Sequence, residues 1–382
     1  MGLQTEIWLA EIIEGLFANN SFAARSVDHS QFTNNKKVHV PNAGSAPSVV
    51  KNRNSYPASI GTRTDYDLEY EMNEYTTDPI RIPHADSVEL SYDKRQSVMS
   101  VSKAALADAV YADMVYSWIP TSPAVVKTMG VGVLAHLPSA TGNRKSFDKA
   151  TVKAVKKAFD KDNIPSTGRY ILVDSDMYNQ LLDSLTDTEA NNVIAGANPE
   201  MGTIGMYMGF NFYMRSTVAK TTNQGVLKAF TASPSATDSA AGIAWHDKTV
   251  SRAIGTTEMF EDEKNPSYFS DIMSFLVRAG GSPMRYDKKG VIMIYQDTQA
   301  ALAVTEVVKT DETVAAADDG TITITAAGGV APYLYSINNG SSWSQSNEFT
   351  GLTHTTYNVK VLDSAGTVAA YASNPVTIAA GA

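Results

Sequence analysis

The chain has 382 residues and a formal net charge of −9, with 43% apolar residues, 19% charged residues and no cysteine. That balance describes a globular protein long enough for two or three domains, and it excludes disulfides, thiolate metal centres and cysteine nucleophiles. The charge is uneven: residues 301–382 hold two lysines against seven carboxylates. Neither that part nor the first 300 residues has the basic excess of a protein whose main task is gripping nucleic acid.

No apolar stretch approaches the ~20 residues that a membrane-spanning helix needs. The opening MGLQTEIWLAEIIEGLF lacks a basic leader region, and Glu6, Glu11 and Glu14 interrupt its apolar run. Ile7, Leu9, Ile12, Ile13 and Leu16 gather on one side, which predicts a short amphipathic helix. ANNSFAARSVDHSQFTNNKK has no period and reads as an extended arm. KKVHVP, residues 36–41, predicts a strand. Residues 42–65 then form a loop well beyond the about 12–15 residues usual within a compact domain. YDLEYEMNEY alternates, with Tyr66, Leu68, Tyr70 and Met72 on one face and Asp67, Glu69 and Glu71 on the other. TTDP turns and IRIP begins a return strand, so the loop is the tip of a long strand–loop–strand projection. Three carboxylates on one strand face favour nearby cations. Two readings stay open: a solvated face, or a face met across a subunit boundary by basic groups of the arm and loop. The candidate contact residues are Lys36, Lys37, Lys51, Arg53, Tyr56, Arg63, Asp67, Glu69 and Glu71.

Residues 94–119 carry a helical apolar stripe through Val98, Val101, Ala105, Leu106, Ala109, Val110 and Met114, closed by Pro120 and Pro123. SFDKATVKAVKKAFDKDNIP predicts a second helix, with Ser146 as N-cap. Its core stripe runs through Phe147, Ala150, Ala154, Val155, Ala158 and Phe159; Lys149, Lys153, Lys156 and Lys157 lie outside. RYILVD is nearly all apolar and fits a buried strand, and SDMYNQLLDSL continues as a helix. This order indicates an α/β layer. Gly202, Gly205 and Gly209 supply turn geometry before the strand FNFYMR. AAGIAWH follows, and residues 268–295 read as strand, turn, strand. After a polar junction at 297–306 the composition shifts to Thr, Ala, Gly, Ser and Asn. TITIT, YLYSIN, YNVKVLD and NPVTI are short strands between Gly- and Asn-rich turns, which predicts a β-sandwich with Trp343, Phe349, Tyr335 and Tyr357 as its core.

No pattern of residues points to catalysis. The six histidines show no metal-binding helix spacing. DSDMYNQLLD starts like a calcium loop but lacks the third ligand and the glycine at the bend. There is no phosphate loop, dinucleotide fingerprint or nucleophile elbow. The residues therefore predict a non-enzymatic structural or binding protein without cofactors, carrying an outsized projection and a β appendage.

The order of features resembles the major capsid proteins of tailed bacteriophages, with the α+β fold named after phage Hong Kong 97. NKKVHVPNAGSAPSVVKNRNSYPASIGTRTD and the pair LVDSDMYNQLL and GFNFYMRS are especially similar to capsid proteins of Bacteroidota phages and prophages. The resemblance covers roughly residues 1–297. It implies an N-arm at 1–35, an E-loop at 36–83, a P-domain with the spine helix at 84–124, an A-domain at 125–250 and a P-domain return at 251–297. The tail, 301–382, resembles immunoglobulin-like repeats of bacterial surface adhesins and would decorate the exterior; two readings stay open for it, a glycan or host-surface contact and a passive or stabilising decoration. The implied function is a shell of hexamers and pentamers enclosing double-stranded DNA without sequence-specific binding, and a near-neutral wall would let that DNA slide rather than stick. The implied partners are other copies, portal, scaffolding and cement proteins, but no membrane; the implied location is the virion, assembled in the host cytoplasm. An encapsulin-like compartment and, further off, a surface adhesin are the alternatives.

Overall fold

A computed structural model describes residues 21–32, 37–44, 48–58, 60–83, 94–216 and 218–381. The helix predicted near the N-terminus, and Lys36, lie outside them. Four α-helices are described: α1 (Lys94–Trp118), α2 (Lys149–Lys161), α3 (Ser175–Asp183) and α4 (Asp187–Ala195).

The spine helix α1 forms at the predicted place, but its buried stripe is rotated. Met99, Leu106, Val110, Met114 and Trp118 are buried, whereas Val101 is 65% exposed. The sequence offers two competing stripes. The one with the larger side chains wins because burial stabilises by about 25 cal/mol per Å² of apolar surface.

The spine packs against a five-stranded sheet built on a long hairpin, Val250–Asn265 with Ser270–Pro283. Asn73–Thr76 and Ile80–Pro83 both pair with Ser270–Pro283, and Val27–Asp28 runs parallel to Val250–Asn265. The sequence pattern alone predicts no hairpin of this length. It also suggests an extended arm at residues 18–37, yet the described part of that stretch is seated in the body. Phe22 is 4% exposed, edge-on to Tyr111 and Trp118, and Trp245 Nε1 donates to Arg25 O at 2.8 Å. Isolated apolar residues such as Phe22 have no period, so pattern alone does not find them.

The second layer is a seven-stranded mixed sheet, ordered Gly205–Tyr207, Phe210–Arg215, Arg169–Asp174, Ser239–His246, Val291–Tyr295, Ala124–Lys127, with Ala219–Thr221 also paired to Ser239–His246. Segment 251–297 thus divides between two sheets, its last strand lying beside Ser239–His246. Arg169–Asp174 is wholly buried, as its composition predicts. Ile171 and Val173 face α2 and α3; Leu172 and Tyr170 join the core beneath the spine. The N-cap of α2 is Asp148, whose side chain accepts from Thr151 N at 2.9 Å, not Ser146. A carboxylate at this position also complements the positive end of the helix dipole. Met208 and Gly209, both at positive φ, make the two-residue turn between Gly205–Tyr207 and Phe210–Arg215.

The tail forms the predicted small β domain. Ala303–Thr310, Gly320–Ala327 and Glu348–Leu352 make one three-stranded sheet; Leu334–Ser336, Lys360–Leu362 and Val368–Ala370 make another. Its core differs from the expectation. Ile322, Ile324, Val359, Val361 and Ile378 are buried, whereas Tyr335, Phe349 and Tyr357 only pack against them from the rim, and Trp343 is half-buried. Inward positions alternate along these short strands, and β-branched residues occupy them.

The junction is not a free linker. Lys145 N donates to Asp297 O at 2.8 Å, Gln299 N to Asn143 O at 3.1 Å, and Gly329 N to Ala300 O at 2.8 Å. Gln299 Nε2 reaches Gly329 O at 2.7 Å. Gly132 lies so close to Val330 that a Cβ there would stand 2.7 Å from Val330 Cγ2.

Candidate assembly surface

The projection is a two-stranded ribbon, Lys37–Asn42 paired antiparallel with Tyr66–Glu71. Val38, Val40, Tyr70 and Met72 bury its root against Ala253. Tyr66 stacks on Tyr286, and Tyr286 N donates to Asn42 Oδ1 at 3.2 Å. Beyond that root the apolar side chains leave the body: Val49 is 93% exposed, Tyr56 77% and Ile60 100%. An apolar segment in water gives up the stabilisation that burial would bring, so the ribbon has the character of an unfilled interface.

The nine candidate contact residues fall into two groups, Lys36 aside. Lys37 Nζ lies 3.2 Å from Glu69 and 3.4 Å from Glu71, His39 Nδ1 lies 2.8 Å from Asp67, and Arg63 Nε lies 2.7 Å from Asp65. The acidic strand face is therefore matched by the ribbon's own opposite strand. Hydrogen bonds to Glu69 and Glu71 hold Lys37 above the usual lysine range, and Arg63 holds Asp65 below the usual carboxylate range. Lys51, Arg53 and Tyr56 form the second group and have no hydrogen bond or ion pair with any described residue. Strand pairing decides this division, because register places Lys37 opposite Glu71 and His39 opposite Glu69.

A second projection, missed in the sequence, is the tip of the long hairpin. Tyr268 is 52% exposed and Phe269 80%, with Phe269 at φ 47°. Its sequence signal is the NPSY turn between two strand-like runs.

Two clefts accompany these features. One of about 390 Å³ is lined by Asn42, Gly44, Tyr66, Arg285 and Tyr286 at the ribbon root. One of about 660 Å³ lies at the joint with the tail, between Met129–Val133, Asp148 and Asp183 on one side and Gly329–Ala331 and Tyr333 on the other. Among the described residues, one group brings three metal-ligating side chains together: His136, Asp174 and Asp176. Asp174 is already committed there. Its Oδ1 caps α3 by accepting from Met177 N at 2.7 Å, and its Oδ2 lies 2.8 Å from His136 Nε2. This carboxylate has a structural role, fastening the 135–142 loop to the sheet. No described helix is long and apolar enough to cross a membrane.

A two-sheet α+β body with a spine helix, an outreaching ribbon and an appended β domain defines a structural protein of the capsid class. Among solved structures, the capsid of Ralstonia phage GP4 matches with a TM-score of 0.50 at 12% identity, covering 72% of this chain and 88% of that one. A Mycobacterium phage Che8 chain matches at 0.48 and 16% identity over 72% and 90%. A virus-like particle from Pyrococcus furiosus matches at 0.46 and 8% identity over 76% and 99%. No curated protein matches the sequence. The family model described as phage capsid protein matches residues 67–297, and a SprB repeat model matches 308–342. The chain belongs to the phage capsid protein family: it is a structural major capsid protein with the Hong Kong 97-type fold, a self-associating component of the virion.

Proposed function

We propose that this protein assembles as hexamers and pentamers into the icosahedral head enclosing double-stranded phage DNA, and that it acts as a wall element, not an enzyme. The observation that carries this reading is the ribbon, whose tip exposes Val49, Tyr56 and Ile60 and leaves Lys51 and Arg53 unmatched. Such a segment gains burial only on another copy, and many modest contacts repeated by symmetry then close a shell. In this reading 1–35 is the N-arm, 36–83 the E-loop, 84–124 the spine region, 125–250 the A-domain and 251–297 the return. Residues 301–382 form an immunoglobulin-like domain on the outer surface. Portal, scaffolding and cement proteins join the shell during assembly in the host cytoplasm.

Deleting residues 47–63 tests the reading. The expected product is a folded, soluble protein that forms no shells under electron microscopy. Normal particles from the deletion variant would refute the role given to the ribbon.

A further inference from the structure

One basic surface of the described residues is left unused by the shell reading. Lys153, Lys157 and Lys161 repeat every four residues along the exposed side of α2. At 1.5 Å per residue the three span about 12 Å in a nearly straight row. The row runs into two turns packed at the C-terminal end of the helix. Lys289 Nζ lies 3.5 Å from Asp162 Oδ1, which brings in the turn 285–290, and His246 N donates to Gly290 O at 3.1 Å, which brings in the turn 246–249. Those turns add the exposed Lys288 and Lys248.

Charge in this corner is unbalanced. Lys156 Nζ and Arg169 Nη1 both engage Asp160, at 2.5 and 2.8 Å, and Arg285 engages Asp287 at 2.6 Å. Asp247 faces His246 at 3.0 Å. Asp247 keeps its charge, since burial lowers the pKa of His246; Lys153, Lys157, Lys161, Lys248 and Lys288 have no carboxylate partner among the described residues, and the nine cations named in this corner exceed its four carboxylates by five on a chain whose total is −9.

Position supports a direction for this charge. The opposite end of α2 begins at Asp148, which lines the joint cleft together with Gly329, Val330 and Ala331 of the tail. The tail is the acidic part of the chain. The helix therefore runs about 20 Å from an acidic domain to a basic corner, so charge of opposite sign gathers at its two ends.

We propose that the basic corner, with the Lys153–Lys157–Lys161 row at its centre, lies on the inner side of the shell and binds the phosphodiester backbone of packaged double-stranded DNA. This rests on the shell reading above and adds to it which side of the subunit meets the cargo. Over about 12 Å one strand of B-form DNA presents roughly three or four phosphates, matching three ammonium groups in a row. Lysine suits the task because it contacts phosphate as a point charge without the fixed bidentate geometry of arginine, so the duplex is held without reading its sequence.

The test uses the full-length protein kept unassembled by dilution and a 24-base-pair duplex of arbitrary sequence. Binding is followed by fluorescence anisotropy between 50 and 200 mM salt. The triple variant K153Q/K157Q/K161Q keeps helix-compatible residues at exposed positions; K149Q, at the other end of α2, is the control. Each phosphate contact contributes about 0.9 to the slope of log affinity against log salt. The triple variant is therefore expected to show a slope shallower by about 2.7, so that its affinity falls roughly 40-fold less across this range than the parent's, while K149Q follows the parent. Equal slopes for parent and triple variant overturn the inference. So does a triple variant that binds DNA as the parent does but no longer forms particles, since the corner would then seat another copy of the chain. Particle formation by the parent, scored in the same preparations by electron microscopy, judges the shell reading separately: shells without a slope difference sink this inference alone.

Discussion

Tyr66, at the root of the ribbon, stacks on Tyr286 of the body with ring centroids 3.7 Å apart and planes 6° from parallel. The two residues lie on separate elements, so the contact sets the angle at which the ribbon leaves the subunit. An aromatic pair contributes about 0.5–1.5 kcal/mol beyond the area it buries.

Tyr66→Ala is expected to lower stability by about 1 kcal/mol in urea unfolding and to reduce the yield of closed particles much further, because every copy in a shell would carry the same misdirected ribbon. A variant that assembles at the parent's yield would show that the ribbon's direction is set elsewhere.

Trp118 is fully buried and its Nε1 donates to Ser251 O at 2.8 Å, tying the end of the spine helix to the long hairpin. Trp118→Phe removes the donor and leaves a buried carbonyl short of a partner, a cost of about 1–3 kcal/mol. Trp118→Ala adds a cavity and should cost about 3–5 kcal/mol. Denaturant midpoints of the two variants check the order; equal losses would mean that the hydrogen bond to Ser251, and not packing, accounts for Trp118.

Gly132 leaves room for Val330 at the joint with the tail. Gly132→Val should wedge the joint open and loosen the tail without unfolding it, since the tail has its own core. The expected readout is faster limited proteolysis near residues 297–302, with the two cores intact by circular dichroism. Cleavage at the parent's rate would place the hold on the tail in the backbone bonds of the junction.

His136 carries a pH dependence. Burial pulls its pKa down, but the hydrogen bond to Asp174 and the charges of Asp174 and Asp176 outweigh that and leave it raised above 6.5. A raised folded value stabilises the protein while the ring is protonated. That contribution is full below the unfolded value near 6.5 and fades as pH rises through the folded value. The melting-temperature gap between the parent and His136→Gln should therefore be wider at pH 6 than at pH 9. A gap that does not change between those values would mean the pair is held by hydrogen bonding to a neutral ring.

Several features of the fold are legible in the residue pattern itself. The faultless alternation of YDLEYE marks both the strand and its inward face, and Tyr70 and Met72 are buried as their parity requires. The apolar run YILV within RYILVD marks a strand covered on both sides. Other features are not legible, for definable reasons. Val101 and Met99 both fit helical spacing, and only the sheet beneath the spine chooses between them. Phe22 is one aromatic residue in a polar stretch, so nothing local predicts its place between Tyr111 and Trp118.

The candidate contact residues divide along the same line. Composition locates them, but the pairing register of the ribbon decides that Lys37 and His39 meet the acidic face within one chain, leaving Lys51 and Arg53 at the exposed tip.

Taken alone, the sequence determined the spine helix, α2, α3 and strands such as Tyr66–Glu71 and Arg169–Asp174, that a β-rich tail ends the chain, and that one long loop has no apolar period with which to bury itself. Those are local properties, set by side-chain spacing and turn chemistry along the chain. The tertiary structure alone decided that a single stretch, residues 66–76, serves two sheets, that the tail is pinned through Gln299 and Gly329, and that scattered lysines meet at one end of α2. Such relations depend on contacts between residues far apart in the chain, and burial and strand register, which act through space, select them.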